Sequence, residues 1–153
     1  MAQIQNPRKK FNFSIQIVPQ PINPFLAQKV VIPEVALGMV KHGDTNHDIK
    51  TAGRVEYGDV EIEKISTTSG ADNYFFDWLV SCQDAVIGGG LLPNQYKRII
   101  TITELAEDGT SILNTWVLTG AWPNKINGTE LSRQDTENTM ESVSICVDKI
   151  EKL

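Results

Sequence analysis

The sequence predicts a mainly β protein, an antiparallel β-sandwich or barrel with one α-helix covering an end. Three observations point there. Apolar and polar residues alternate with period two in several separate segments. A single segment has the 3.6-residue period of a helix, and the chain shows neither an internal repeat nor βαβ alternation. The last of these argues against a parallel α/β enzyme.

Residues 1–10 are polar and basic and include Pro7, so they are expected to form an exposed, flexible arm. Phe11, Phe13, Ile15 and Ile17 alternate with Asn12, Ser14 and Gln16, which gives a strand with one buried face. Pro19, Pro21 and Pro24 end it and hold an extended loop. Residues 30–40 are apolar and β-branched but interrupted by Pro33 and Gly38, the pattern of a bent strand. Residues 41–54, with Gly43, Asp44, Asn46 and Asp48, read as a projecting loop or the tip of a hairpin.

Residues 55–64 read as one strand. Val60 and Ile62 occupy one face, while Tyr57, Asp59, Glu61 and Glu63 occupy the other. A row of carboxylates repels itself unless solvated, so that face is expected to meet water. Residues 69–83 form the expected helix. Ser69 and Asp72 make a variant capping box, and Phe75, Trp78, Leu79 and Cys82 make one apolar stripe. Gly88, Gly89 and Gly90 follow as a flexible break.

Residues 98–105 and 112–119 are two strands joined by a turn at Glu107, Asp108, Gly109 and Thr110. Ala121, Trp122 and Pro123 close the second, and Asn127 with Gly128 marks another turn. Val143, Ile145 and Val147 alternate with Ser142, Ser144, Cys146 and Asp148 in a terminal strand. The total is about six or seven strands around one helix. Phe75, Trp78, Leu79 and Trp116 are the expected core members.

The 153 residues suit one domain spanning 1–153. With 41% apolar and 22% charged residues the chain is a folding, soluble sequence. It has no stretch approaching the ~20 apolar residues of a membrane-spanning helix. No apolar block follows the basic Arg8, Lys9 and Lys10, so a secretory signal is not expected and the chain is expected to mature in a cytoplasm. A net charge of −5 makes the chain a poor candidate for gripping nucleic acid and does not exclude one that lets nucleic acid slide past. Cys82 and Cys146 form neither a zinc motif nor a redox pair; buried thiols are favoured over a disulfide.

Catalytic and ligand motifs are weak throughout. His42 and His47 sit in a glycine-rich polar segment with Asp44 and Asp48, without a spacing that completes a tetrahedral metal set. Residues 44–55 imitate the start of a calcium loop but place Ile49 where glycine is required and Val55 where glutamate is required. The Gly88–Gly90 run lacks the Lys-Ser/Thr of a phosphate loop, and no nucleophile elbow occurs. Asn12-Phe13-Ser14 and Asn127-Gly128-Thr129 match a glycosylation pattern that has no meaning without secretion. Trp78 and Trp116 are better explained by packing than by ligand stacking. No cofactor and no enzymatic activity are expected.

The order of several segments resembles the contractile-phage tail tube family, the group of the T4 tail tube protein. The resemblance rests on the early Phe11-Asn12-Phe13-Ser14-Ile15 strand and the polar segment from Gly43 to Val55. It continues through Val60-Glu61-Ile62-Glu63-Lys64 before a Thr-Thr-Ser helix start, and through Phe76-Asp77-Trp78-Leu79. Trp116-Val117-Leu118 followed by Gly120-Ala121-Trp122-Pro123-Asn124-Lys125 is the most specific piece. Met140 to Ile145 and Asp148 to Glu151 complete it; the proline-rich stretch from Pro19 to Pro24 is longer than the family pattern.

The resemblance implies a structural subunit whose strands join a hexameric tube barrel inside a contractile sheath and around a tape-measure protein. Baseplate and tail-terminator proteins would cap it, in a virion assembled in a host bacterial cytoplasm. Six copies giving four strands each would make a barrel of roughly 24 strands. At ~4.8 Å spacing and ~40° tilt its backbone diameter is about 48 Å, wide enough for duplex DNA to pass without specific binding. On this basis Asp59, Glu61 and Glu63 are the expected lumen-facing residues, with Ser142, Ser144 and Asp148 behind them. Lys41, His42, Asp44, Asn46, His47 and Asp48 are the expected ring-to-ring contacts. The alternatives are the tube of a DNA-free injection or type VI-like secretion machine, or a β-sandwich binding module.

Overall fold

A computed structural model describes residues 13–18, 27–43, 46–65, 73–127, 131–134 and 140–153. Among these residues the chain forms nine strands and two helices. They are β1 (Phe13–Val18), β2 (Ala27–Val31), β3 (Val35–Gly43), β4 (Asp48–Tyr57), β5 (Val60–Ile65), α1 (Tyr74–Cys82), α2 (Pro93–Tyr96), β6 (Arg98–Leu105), β7 (Ile112–Ile126), β8 (Met140–Cys146) and β9 (Lys149–Lys152). The expectation of a mainly antiparallel β fold holds. The proline-rich segment and the proposed arm fall outside the described residues.

Six strands of a seven-stranded sheet form one path, β1-β6-β7-β8-β5-β2, and the seventh, β9, pairs beside β7. The fifteen residues of β7 serve two half-sheets. Its first part pairs with β6 on one side and β9 on the other. Its last part, from Trp122 to Ile126, pairs with β8. One half-sheet is therefore β1-β6-β7-β9 and the other is β7-β8-β5-β2.

Gly120 makes the crossing possible. Its φ of +68° lies in the left-handed region, where a side chain is strained, and a Cβ there would collide with the Asp148 carboxylate. The amide of Asp148 in turn donates to the carbonyl of Thr119 at 2.9 Å. The corner explains why β7 does not stop at Pro123, where the sequence suggested closure. Pro123 has no N–H to give, but it pairs with β8 on one side only and sits buried opposite Ile145.

Each half-sheet buries one face. Ile17, Ile100, Ile102, Leu118 and Ala121 come from one side, and Val60, Ile62, Val143 and Ile145 from the other. Helix α1 adds Phe75 and Trp78 to this core, while Leu79 is half-buried and Trp116 packs at the core's edge. The Trp78 ring N–H donates to the carbonyl of Tyr96 at 2.7 Å. The Arg98 guanidinium lies 4.7 Å from the Trp78 ring and donates to the Tyr74 hydroxyl at 2.5 Å. Burial pushes the Tyr74 phenol up, against the opposing pull of Arg98. Ser69 and Asp72, the expected cap, lie outside the described residues; α1 opens at Asn73 without a side-chain cap. The short α2 is absent from the sequence reading, because four residues after a glycine run carry no periodicity.

Two further departures concern strands. The 55–64 segment is not one strand: β4 ends at Tyr57 and β5 starts at Val60. Gly58 passes so close to Pro33 that a Cβ would lie 3.0 Å from the proline ring. Asp59 thus stands in a connection, whereas Glu61 and Glu63 stand on β5. The 41–54 segment is mostly strand, the outer half of a β3–β4 hairpin, with Asn46 and His47 in a bend at its tip. The β6–β7 turn follows expectation. Asp108 accepts from Ser111 Oγ at 2.7 Å and from the amides of Ser111 and Thr110, which lowers its carboxyl to about 2.

On the core face of β5 and β8 the rungs are Val60 with Ile145, Ile62 with Val143, and finally Lys64 with Glu141. Lys64 is 1% exposed, and its Nζ lies 3.7 Å from Glu141 Oε2. Lys64→Ala is expected to cost about 3–5 kcal/mol, because it strands a buried carboxylate; a loss below about 1 kcal/mol in urea unfolding would contradict the packing described. Gly120→Ala is expected to cost about 1–3 kcal/mol from backbone strain and the clash with Asp148. Unchanged unfolding of that variant would show that the corner tolerates ordinary backbone.

Candidate assembly surfaces

The solvent side of the β7-β8-β5-β2 half-sheet carries the first candidate surface. Alternation puts Glu61 and Glu63 opposite the buried Val60, Ile62 and Lys64. Glu61 pairs with Ser144 and Glu63 with Ser142, so the carboxylates face hydroxyls across the ladder. Lys29 stands opposite Glu63 on β2, and Lys125 opposite Ser144 on β7. The row is therefore acidic at its centre and basic at both edges. Asp59 lies just beyond it and accepts from Asn124 Nδ2 at 3.5 Å and from the Cys146 thiol at 3.4 Å. Asp148, a weaker lumen candidate, is instead held at the β7 corner by Lys97 Nζ at 2.7 Å.

The second surface is the β3–β4 hairpin, which forms a two-stranded sheet of its own. Its register puts Val35 with Tyr57, Leu37 with Val55, Met39 with Ala52 and Lys41 with Lys50 on one face. A bulge at Gly38 and Gly53 brings the two backbones so close that a Cβ at Gly53 would lie 3.0 Å from the Gly38 carbonyl carbon, tighter than ordinary contact. Val35, Leu37, Met39 and Val55 are 54%, 61%, 57% and 46% exposed. An isolated two-stranded ribbon is marginal in water, and one that leaves an aliphatic row in solvent has the composition of an interface. On the opposite face the Thr51 hydroxyl lies 3.4 Å from His42 Nε2. Lys41, His42, Asn46, His47 and Asp48 are all exposed along the outer half of the ribbon; Asp44 lies outside the described residues.

A protein-family comparison says which family the sequence belongs to. The family model for the T4-like virus tail tube protein gp19 matches residues 9–151. The chain belongs to that family. It is a structural subunit of a contractile-type tail tube.

Solved structures agree with this tail tube fold. The tube-terminating cap of the anti-feeding prophage superposes with a TM-score of 0.81 at 16% identity, covering 100% of this chain and 95% of that one. The sheath/tube terminator of the PVC extracellular contractile injection system gives 0.79 at 17% identity, covering 99% of both chains. A chain of the PVC sheath-tube complex gives 0.78 at 18% identity, covering 98% and 93%. At such identities the likeness establishes the fold. No curated protein sequence matches the chain.

In this tail tube subunit one surface escaped the sequence reading. The link from α1 to α2 is an ordered turn and not the flexible glycine break expected. The Asp84 carboxylate accepts from the amides of Val86 at 2.8 Å and Ile87 at 3.4 Å, and the Asp84 amide donates to the carbonyl of Gly89 at 2.7 Å. Its apex carries Val86 and Ile87, 94% and 82% exposed. The available signal was two aliphatics placed between an aspartate and a glycine in a turn.

Both cysteines are free, and Cys146 is the more perturbed. Burial and then the hydrogen bond and charge of Asp59 push its thiol up to about 11. Only the thiolate reacts, so below this value the group is held in its unreactive form. Alkylation of Cys146 at pH 8 is expected to run about 100-fold slower than for a thiol of ordinary pKa, with Asp59→Asn accelerating it. Rates equal to those of a free thiol, measured by mass spectrometry on the native protein, would contradict that environment.

Proposed function

We propose that the chain acts as one unit in a tube of stacked hexameric rings, which conducts DNA from a virion through a contractile tail. The observation that carries this is the β3–β4 hairpin. It leaves an aliphatic row in solvent on a chain whose body already has its own core, which suits a subunit made to be covered by another copy. Closed heterologous contacts of that kind generate rings and stacks.

The β7-β8-β5-β2 half-sheet is the stave that fits an inner barrel. Among the described residues it has four strands and two open edges, β2 and the end of β7. An even number of antiparallel strands keeps every pair antiparallel when copies close into a ring, including the pair between copies. Its solvent face then lines the channel. Glu61, Glu63, Ser142 and Ser144 offer carboxylates and hydroxyls but little to hold a phosphate, and Asp59 adds a further charge at the margin. Lys29 and Lys125, at the two edges, come together at each seam between copies.

The hairpin tip, with Lys41, His42, Asp44, Asn46, His47 and Asp48, makes contacts from ring to ring. The partners are a sheath protein outside, a tape-measure protein in the channel, and baseplate and terminator proteins at the ends. Assembly takes place in a host bacterial cytoplasm. Chains of similar fold come from a sheath/tube terminator, a sheath-tube complex and a baseplate of contractile injection systems, which supports the sheath, terminator and baseplate partners.

Electron microscopy of the concentrated protein tests the reading. Six-fold rings or hollow tubes are expected, with Glu61 and Glu63 on the channel wall; a map that puts both side chains on the outer surface would end the lumen assignment. Deleting residues 43–52 is expected to abolish tubes while circular dichroism shows a folded monomer. Tubes that persist in the deletion would remove the hairpin tip from the ring contact.

A further inference from the structure

Resting on the tube reading above, we propose that the Val86–Ile87 turn, with the outward face of α1, is the receptor for the β3–β4 hairpin of a neighbouring copy. The turn is a built feature. Asp84 fixes it through its carboxylate, its amide and its carbonyl, and Gly88 at its end adopts a φ of +78°. The amide of Leu91 then donates to the carbonyl of Ser81 at 2.9 Å and ties the return strand to the end of α1. Gly90 lies against the carbonyl of Cys82 where a Cβ would not fit. A rigid turn that holds two aliphatics away from the body pays no ordering cost when it docks.

Further exposed apolar residues lie on the segments that flank the turn. Phe76 on α1 is 58% exposed, and Leu91 and Leu92 are 47% and 64% exposed. Asp77, beside Phe76, is exposed as well. Aliphatic and aromatic surface bordered by a carboxylate is the complement of what the hairpin offers. There an aliphatic row of Val35, Leu37, Met39 and Val55 ends at Lys41 and Lys50, two like charges directly opposite each other. Such a pair is unfavourable in the free ribbon and is relieved by an acid from outside. Neither lysine, nor Asp77, forms an ion pair among the described residues.

The apolar cleft between β1 and β2 is a poorer fit. It is lined by Phe13, Val30, Ile32, Ile102 and Trp116, but its carboxylate, Glu104, already accepts from Asn114 Nδ2 at 3.2 Å. Hairpin and turn, two of the exposed apolar surfaces among the described residues, match each other and not themselves. That makes the contact head-to-tail, the kind that propagates.

The test uses full-length protein. Val86→Asp with Ile87→Asp is expected to raise the concentration needed for assembly by about thirtyfold or more, the effect of losing an interface anchor. Lys41→Glu with Lys50→Glu is expected to do the same, and Asp77→Lys to restore assembly in that background. A photo-crosslinking residue at Met39 is expected to label the neighbouring copy within residues 76–92. Tubes from the Val86/Ile87 variant at wild-type concentration, or crosslinks mapping elsewhere in the neighbour, would overturn the assignment while leaving the tube reading intact. Normal tubes from that variant that no longer hold their sheath would reassign the turn to the sheath. Wild-type protein that stays monomeric even with tail extract would sink the tube reading, and this inference with it.

Discussion

One strand belonging to two layers is the constraint on which this architecture depends. β7 leaves one half-sheet and enters the other through a single left-handed residue, Gly120, without interrupting its hydrogen bonding for long. β8 and β9 follow it around the same corner as two segments separated by Val147 and Asp148. Because both layers hang on β7, the two buried faces meet with a fixed offset, and the core closes around Leu118 and Ala121. Helix α1 then seals one side through Trp78, whose ring is held by a hydrogen bond below and a guanidinium above.

The chain divides its apolar residues between two purposes. Those of β1, β5, β6 and β8 on the inner faces stabilise the monomer. Those of the hairpin and of the α1–α2 turn add less to it, since about half or more of each side chain is left in water. In a monomeric enzyme such residues would be a liability. On the proposed reading they let stability of the body and stability of the assembly be set independently.

How much of this was readable depended on whether a signal was local. Period-two alternation in Ile15–Ile17, Val60–Ile62 and Val143–Ile145 located β1, β5 and β8, and the stripe of Phe75 and Trp78 located α1. The turn at Asp108 was equally plain, because its hydrogen bonds lie within three residues. The hairpin was underestimated for a physical reason. With neither face in a core, its strands show no alternation, and polar residues such as Lys50, Thr51 and Arg54 looked like loop. The passage of β7 past Pro123 was hidden too, because tolerance of proline depends on which side of the strand lacks a partner. The acidic row was found, but its flanking Lys29 and Lys125 were not, since they come from distant strands. Buried Lys64 follows from parity with Val60 and Ile62, yet its burial depends on Glu141 far along the chain.

The strand order also dictates when each part takes shape. β3 and β4 are adjacent in sequence, so the ribbon forms on a timescale of about 1–10 μs once synthesised, although it is only marginally stable alone. β1 waits for β6, which pairs Phe13 with Glu104, and the shared strand β7 waits for the last residues of β9. At synthesis rates of roughly 5–20 residues per second, the sticky ribbon precedes its own body by several seconds. During that interval Lys41 and Lys50, like charges directly opposite each other at the end of the aliphatic row, oppose the pairing of one ribbon with another.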